Sequence, residues 1–435
     1  MLKLSACKRV ICIFVLAVML FNFINIVAWK RNAVLGSEVV SRYSSAIDWN
    51  SLYPSGETAG TQPAAPKAAS AAPSGAPSLF TRIRNKASSI SAKESALESG
   101  STSQLFAFHK LIELNGFLNG LAGRKIIPNQ DVFLLNNGQW AFSKPRLSQE
   151  ETDETAGHIS ALSQYCSNVG IRFLYVQPPA KVSETDPELP AGAENYENQN
   201  YDALLKQLNR RGIPALDLRE RIEAEGLSHY GMFYVTDHHW TVESGLWAAG
   251  EVAGRLNSDW KAGLNTSVLS KGFFSKTTYR NWFLGSAGRR ASLGCASPED
   301  FSILLPKFAT SLHIQIPYAR INKTGAFSDV IYNRKALETR DYYNNSPYEA
   351  QLYGNQPLTQ IENLQNPDGP KILVLGDSFS LAMVPYLSLA AKETDLIDFR
   401  RDQGNFSGSI RTYLARTKPD VVLLAYEPGS SYTLK

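Results

Sequence analysis

Cysteine is scarce in this 435-residue chain, at Cys7, Cys12, Cys166 and Cys295 only. With no Cys-x-x-Cys pair, a zinc ribbon, a thioredoxin-like redox motif and a small disulfide scaffold are all excluded. Cys7 and Cys12 lie at or in an apolar stretch, which leaves Cys166 and Cys295 as the two that can form a disulfide outside the cytosol if the fold brings them together. Neither sits in a recognisable nucleophile context. Histidine is nearly as sparse, at His109, His158, His229, His238, His239 and His313. None of these forms an i, i+4 helical pair. An excess of one charge is missing too: 44 Lys and Arg against 40 Asp and Glu leave a formal net charge of +4, with no long basic run. Nucleic acid is therefore not an expected partner. No internal repeat is visible.

What the chain does have begins at its amino terminus. Residues 10–29 are apolar except for Asn22 and Asn25, with Lys3, Lys8 and Arg9 before them and Lys30 and Arg31 after. That length spans a bilayer, and it exceeds the apolar region of an ordinary signal peptide. Residues 1–31 are thus expected to be a cytoplasmic tail and a single membrane anchor, with cleavage near Ala33 to Gly36 as the alternative. Basic residues on both sides leave orientation undecided by charge, and the single long downstream domain argues for export. Residues 32–104 are expected to be a disordered linker. From 54 to 103 they are dense in Ala, Ser, Pro and Gly, a composition that cannot bury enough apolar surface to offset chain entropy.

From residue 105 to 435 the pattern becomes that of one large α/β domain. Residues 171–177, 214–218, 371–375 and 419–426 are apolar, partly β-branched runs that read as strands, and helical patterns at about 201–211, 381–391 and 409–416 alternate with them. Such alternation signals a mostly parallel sheet. Residues 257–366 break the rhythm. They are rich in aromatics, among them Phe273, Phe274, Tyr279, Trp282, Phe283, Tyr332, Tyr342 and Tyr343, and are expected to form an inserted cap over a site. Their rings either fill the cap's core or stack on sugar faces.

Two short stretches carry candidate chemistry. Gly376, Asp377 and Ser378 follow the apolar run at 371–375, at the strand end where ligands of open α/β sheets bind. A serine there is either an exposed nucleophile, with helix-start N–H groups free for an oxyanion, or an ordinary helix cap. Asp237, His238, His239 and Trp240 lie between a presumed short strand at 233–236 and an amphipathic helix opened by Thr241. Two residues apart on an extended loop, Asp237 and His239 share a face. That arrangement suits a carboxylate orienting an imidazole whose other nitrogen meets a serine. His238 is expected to point elsewhere, and Trp240 to wall the site. Asp-His-His is also metal-ligand chemistry, but zinc catalysis needs three protein ligands and an open position, and no further ligand spacing supports it. No metal and no cofactor are expected.

Several segments together resemble the DHHW-motif proteins and, more widely, the alginate acetyltransferase-like branch of the SGNH hydrolase superfamily. They are residues 131–142, Val176 to Lys181, Thr236 to Thr241, residues 281–289, residues 353–357, Gly376 to Ser378, and Asp398 to Arg400, in that order. The resemblance implies that Asp237, His239 and Ser378 form a catalytic triad. It also implies a flavodoxin-like SGNH sheet in circularly permuted order, because Asp and His here precede the serine. Separate glycine and asparagine oxyanion blocks are not evident, so Arg400 and Asn405 are candidates for that role. Trp240 and Tyr353 are candidates to face substrate.

On this reading the chain is a membrane-anchored, extracytoplasmic O-acyltransferase. Its acceptor is a surface polysaccharide, and a membrane acyltransferase is a possible source of its acyl groups. An esterase of the same fold shares the acyl-enzyme and differs only in using water as acceptor. A glycan-binding or assembly protein without catalysis is the third reading.

Overall fold

The structure is a computed structural model that describes residues 108–127, 131–401 and 410–427. The expected anchor and linker, residues 1–31 and 32–104, lie outside the described residues. Among the described residues no helix is long and apolar enough to cross a membrane. The chain divides into two compact units between Asn115 and Gly116. Of the first, only the opening half of helix α1 (Phe108–Leu121) is described.

In the second unit the strands and helices follow in alternation. A small antiparallel sheet comes first, from β1 (Ile126–Ile127), β2 (Val132–Leu134) and β3 (Trp140–Phe142). Then come α2 (Gln149–Asn168), β4 (Arg172–Gln177), α3 (Glu197–Arg210), β5 (Ala215–Asp217), α4 (Leu218–Ala224) and α5 (Val242–Trp260). The hairpin of β6 (Phe274–Phe283) and β7 (Glu299–Pro306) encloses the short α6 (Ser286–Ala291). β8 (Leu312–Ile316), β9 (Ile321–Gly325), α7 (Phe327–Val330), α8 (Arg334–Glu338) and β10 (Leu358–Asn363) follow. The chain closes with β11 (Lys371–Gly376), α9 (Ser380–Ala390), β12 (Glu393–Ile397), α10 (Ile410–Thr417) and β13 (Val421–Ala425).

Eight strands form the main sheet, in the order β5-β4-β13-β11-β12-β10-β8-β9. The five from β5 to β12 are parallel, and β10, β8 and β9 add antiparallel to that edge. Helices cover both faces, so Ile372 to Leu375 of β11 and all of β13 are apolar without alternation. Their period of two still shows in what each side chain meets. Ile372 and Val374 of β11, Val421 and Leu423 of β13, and Leu174 and Val176 of β4 enter one core with α5 and α9. Leu373, Leu375, Val422, Leu424, Phe173 and Tyr175 enter the other, with α2, α3 and α10.

The two helices that follow the candidate motifs pack on each other. At their crossing Gly245 of α5 lies so close to α9 that a Cβ there would sit 2.2 Å from the Ala382 carbonyl oxygen. Only glycine permits that approach, and it brings the starts of α5 and α9 side by side.

Two expectations need correction. Residues 257–366 are not a separate cap: β8, β9 and β10 come from this stretch and complete the sheet, and only the β6–β7 hairpin forms a sheet of its own. Of the aromatics named there, Phe274, Phe283 and Tyr332 are buried in the core, Tyr279, Trp282, Tyr342 and Tyr343 are partly buried against it, and Phe273 is exposed. Nor do Cys166 and Cys295 pair. Both are free thiols, Cys166 on the buried face of α2 and Cys295 packed against a different cluster with Ala287 and Trp140. Burial pushes the Cys166 thiol up to about 12, which leaves it unreactive.

Candidate active site

The serine turn is braced by its neighbour. Where β11 ends, Asp377 accepts the Phe379 N–H on Oδ1 at 3.0 Å and the Glu427 N–H on Oδ2 at 2.9 Å. A short carboxylate thereby ties the turn to the end of β13. Asp377 is fully buried, and burial pushes its carboxyl up against the opposing pull of the Arg400 guanidinium. Ser378 itself is only half-buried.

The Asp-His stretch is a closed loop rather than the end of a strand. The expected strand at 233–236 reduces to one isolated bridge, Phe233 with Trp240. Tyr234 N–H donates to His239 O at 3.2 Å and Thr241 N–H to Met232 O at 2.8 Å, so the segment doubles back before α5 begins. Thr241 caps that helix by accepting the Ser244 N–H at 3.2 Å. Within the loop Asp237 Oδ1 accepts His239 N–H at 2.9 Å. It is this Asx-type turn, not extended alternation, that turns Asp237 and His239 the same way.

The three predicted residues meet. His239 Nδ1 lies 2.5 Å from Asp237 Oδ1, and its Nε2 lies 2.7 Å from Ser378 Oγ. The second oxygen of Asp237 accepts Ser286 N–H at 2.5 Å, at the start of α6. Gly285 makes room for this, since a Cβ there would lie 2.3 Å from that of Asp237. Burial works to raise the Asp237 carboxyl. The imidazoles of His239 and His238, the His239 hydrogen bond and the Ser286 amide outweigh it and hold the group well below the usual carboxylate range. An ionised Asp237 makes Nδ1 the donating nitrogen, which leaves Nε2 as an acceptor for the serine proton.

Other residues complete the walls. The buried Tyr348 ring stacks on His239, with centroids 4.3 Å apart at 18°, and its hydroxyl donates to Ser378 O at 3.0 Å. Contrary to expectation, His238 does not point away. Its ring centroid is 3.8 Å from that of His239, and its Nδ1 lies 2.9 Å from Ser286 Oγ. Burial and the neighbouring His239 push His238 down, so it is neutral near neutral pH. Asp237, His238 and His239 bring their possible ligand atoms within 4.8 Å of one another. In each residue such an atom already has a hydrogen-bond partner, so a metal would have to displace those bonds.

The substrate-facing candidates fare less well. Trp240 is fully buried and donates its indole N–H to Phe379 O at 2.9 Å, which makes it a strut between the two motifs and removes it from any substrate surface. Arg400 pairs with Asp398 through Nε and Nη2 at 3.0 and 2.8 Å, so its guanidinium is already committed to a carboxylate. Tyr353 packs by the β9 edge, where its hydroxyl accepts from Lys323 Nζ at 2.9 Å, four strands from β11. Asn405 lies outside the described residues. Residues with no announced role do reach the loop: Lys181, Ser286, Glu299 and Tyr348. Lys181 and Ser286 sit inside stretches that carried the family resemblance; Glu299 and Tyr348 have no local signal and enter through the β7 pairing and the turn after α8.

With this geometry in hand, residues 136–295 match the family model described as the SGNH hydrolase-like domain of acetyltransferase AlgX. The resemblance to the alginate acetyltransferase-like SGNH branch is thus shown. The matched segment holds Lys181, Asp237, His239 and Ser286 and ends before Ser378. Bacillus cereus PatB1 with a sulfonyl adduct is a similar solved structure, at 21% identity and TM-score 0.57, over 70% of this chain and 98% of that one. A DHHW family protein from Eubacterium siraeum is similar at 15% identity and TM-score 0.51, over 69% and 91%. At such identities the likeness is one of fold. No curated protein matches the chain. The SGNH-like assignment therefore rests on an α/β fold with a mixed sheet together with the matched segment.

Proposed function

We propose that this chain is a membrane-anchored, extracytoplasmic serine O-acyltransferase that moves an acyl group, in the simplest case acetyl, onto a hydroxyl of a surface polysaccharide. The observation that carries the proposal is the hydrogen-bonded relay from Asp237 through His239 to the half-exposed Ser378. Ser378 Oγ attacks the donor's acyl carbon as its proton passes to His239 Nε2, and Asp237 stabilises the imidazolium. The oxyanion collapses, the leaving group departs with that proton, and an acyl-serine remains. His239 then takes the proton of a sugar hydroxyl, whose oxygen attacks the ester and releases Ser378. The Ser378 N–H, which among the described residues donates to no other group, is available to the oxyanion. The family's acetyltransferase character supports transfer over hydrolysis, and the apolar residues 10–29 support the anchor. An acyl donor delivered at the membrane fits that placement.

Transfer and hydrolysis share the acyl-serine, so the acceptor decides between them. The full chain is given 4-nitrophenyl acetate with and without cell-envelope glycan. A transferase acetylates the glycan and turns over faster in its presence. Release of free acetate at one rate in both cases identifies an esterase instead, and glycan binding with no ester turnover identifies a binding protein.

A further inference from the structure

Lys181 and Glu299 carry opposite charges, yet they do not bond to each other. They hold opposite ends of the Tyr234–Val235 peptide group and bracket the residues that follow it. Lys181 Nζ donates to Tyr234 O, to Asp237 O at 2.7 Å and, more weakly, to Val235 O at 3.5 Å. Glu299 accepts Val235 N–H at 2.7 Å, Thr236 N–H at 2.6 Å and Thr236 Oγ1–H at 2.6 Å. The peptide joining Tyr234 to Val235 thus has its carbonyl on the ammonium and its N–H on the carboxylate. The next, joining Val235 to Thr236, has its N–H on the same carboxylate, while its carbonyl accepts chiefly from the Trp140 N–H at 2.7 Å, with Lys181 at the 3.5 Å limit. The first dipole is thus aligned between a cation and an anion, and Asp237, whose own carbonyl Lys181 also holds, follows two residues after Val235.

Such a clamp is an expensive way merely to hold a loop. Lys181 is 3% exposed and has no ion-pair partner among the described residues. Burying an ammonium without one costs several kcal/mol by the usual reckoning, roughly the desolvation penalty of a buried ion. A neutral donor would bind the carbonyls for less. What only the charges supply is a stiff, oriented loop under the Asp237 carboxylate.

We propose that Lys181 and Glu299 are positioning residues, a two-sided electrostatic clamp that fixes the 234–237 loop so that Asp237 holds His239 in line with Ser378. This rests on the relay reading above. The charged and titratable groups that face Lys181 are Glu299 and Asp237, which favour its ammonium, and His229, whose Nε2 lies 3.2 Å from Lys181 O. The Phe233 ring is 5.9 Å from Nζ. Burial dominates over these and pushes Lys181 down to about 7, while burial raises the Glu299 carboxyl against its three hydrogen-bond donors. Rising pH therefore discharges one jaw and falling pH the other. Function is strongest between the two titrations.

The test uses the full chain with three variants, Glu299→Gln, Lys181→Arg and Lys181→Met. Acylation by 4-nitrophenyl acetate is followed across pH, and the downfield Nδ1–H proton of His239 by NMR. Glu299→Gln keeps the shape of the side chain and removes its charge. We expect its kcat to fall by roughly 10- to 100-fold, the scale of a small misplacement of reacting groups, with KM nearly unchanged. Lys181→Arg is expected to move the alkaline limb to higher pH, since its guanidinium stays charged. Should Lys181→Met fail to fold, these two variants carry the test alone. A folded Glu299→Gln with the parent kcat, pH profile and Nδ1–H resonance overturns the clamp. If the parent itself shows no acylation, the relay reading fails, and the resonance in Glu299→Gln still decides on the clamp: a shift supports it and no shift overturns it.

Discussion

Ser378, His239 and Asp237 depend on one another through two hydrogen bonds, and that dependence predicts how their loss should read out. Ser378→Ala, His239→Ala and Asp237→Asn should each lower ester turnover by roughly 10⁴-fold, because members of such a unit fail together. His238→Gln should cost less than roughly 10-fold, the value of one neutral hydrogen bond, here to Ser286 Oγ. Steady-state rates on a soluble acetyl ester check this, with thermal melting to show that each variant stays folded. Equal losses at His238 and His239 would contradict the assigned roles. At this scale the sequence was informative where chemistry is local. Asp237 and His239 lie two residues apart and Ser378 follows an apolar strand, so all three could be picked out. Arg400, Tyr353 and Trp240 could not be judged, because what they touch is set by Asp398, Lys323 and Phe379 in the folded chain. Tyr348 and Glu299 reach the site from far along the chain and leave no mark on neighbouring residues.

At the scale of elements, the site exists because α5 and α9 meet. Each begins at a motif, and their crossing at Gly245 and Ala382 brings those beginnings together. Gly245→Ala would place a methyl against backbone rather than against a side chain that can swing aside. It should destabilise the protein by about 1–3 kcal/mol, the usual cost of overpacking. It should also lower turnover beyond what lost folding explains, since parting the helices parts His239 from Ser378. Denaturant unfolding and turnover measured on the same variant check both effects; a variant with parent activity would show the crossing to be tolerant. The parallel strands were legible because burial on both faces leaves β11 and β13 as continuous apolar runs. The antiparallel strands β8 to β10 were not. In β8, Leu312, Ile314 and Ile316 do alternate with His313 and Gln315, but the strand is short and lies among aromatic-rich turns, and its partners are set by register with β10 and β9 in the folded chain.

At the scale of the whole molecule, the described residues from Gly116 onward are built on an eight-stranded mixed sheet, with the Ser378 relay at the carboxyl end of β11. The central claim is that Ser378 becomes acylated through His239. The most direct measurement is peptide mass mapping of the full chain quenched during turnover of 4-nitrophenyl acetate. An acetyl group on the peptide that holds Ser378, absent in Ser378→Ala and sharply reduced in His239→Ala, is the result the account predicts. Turnover with no acetyl-serine at 378, or with the acetyl group on another residue, would contradict it.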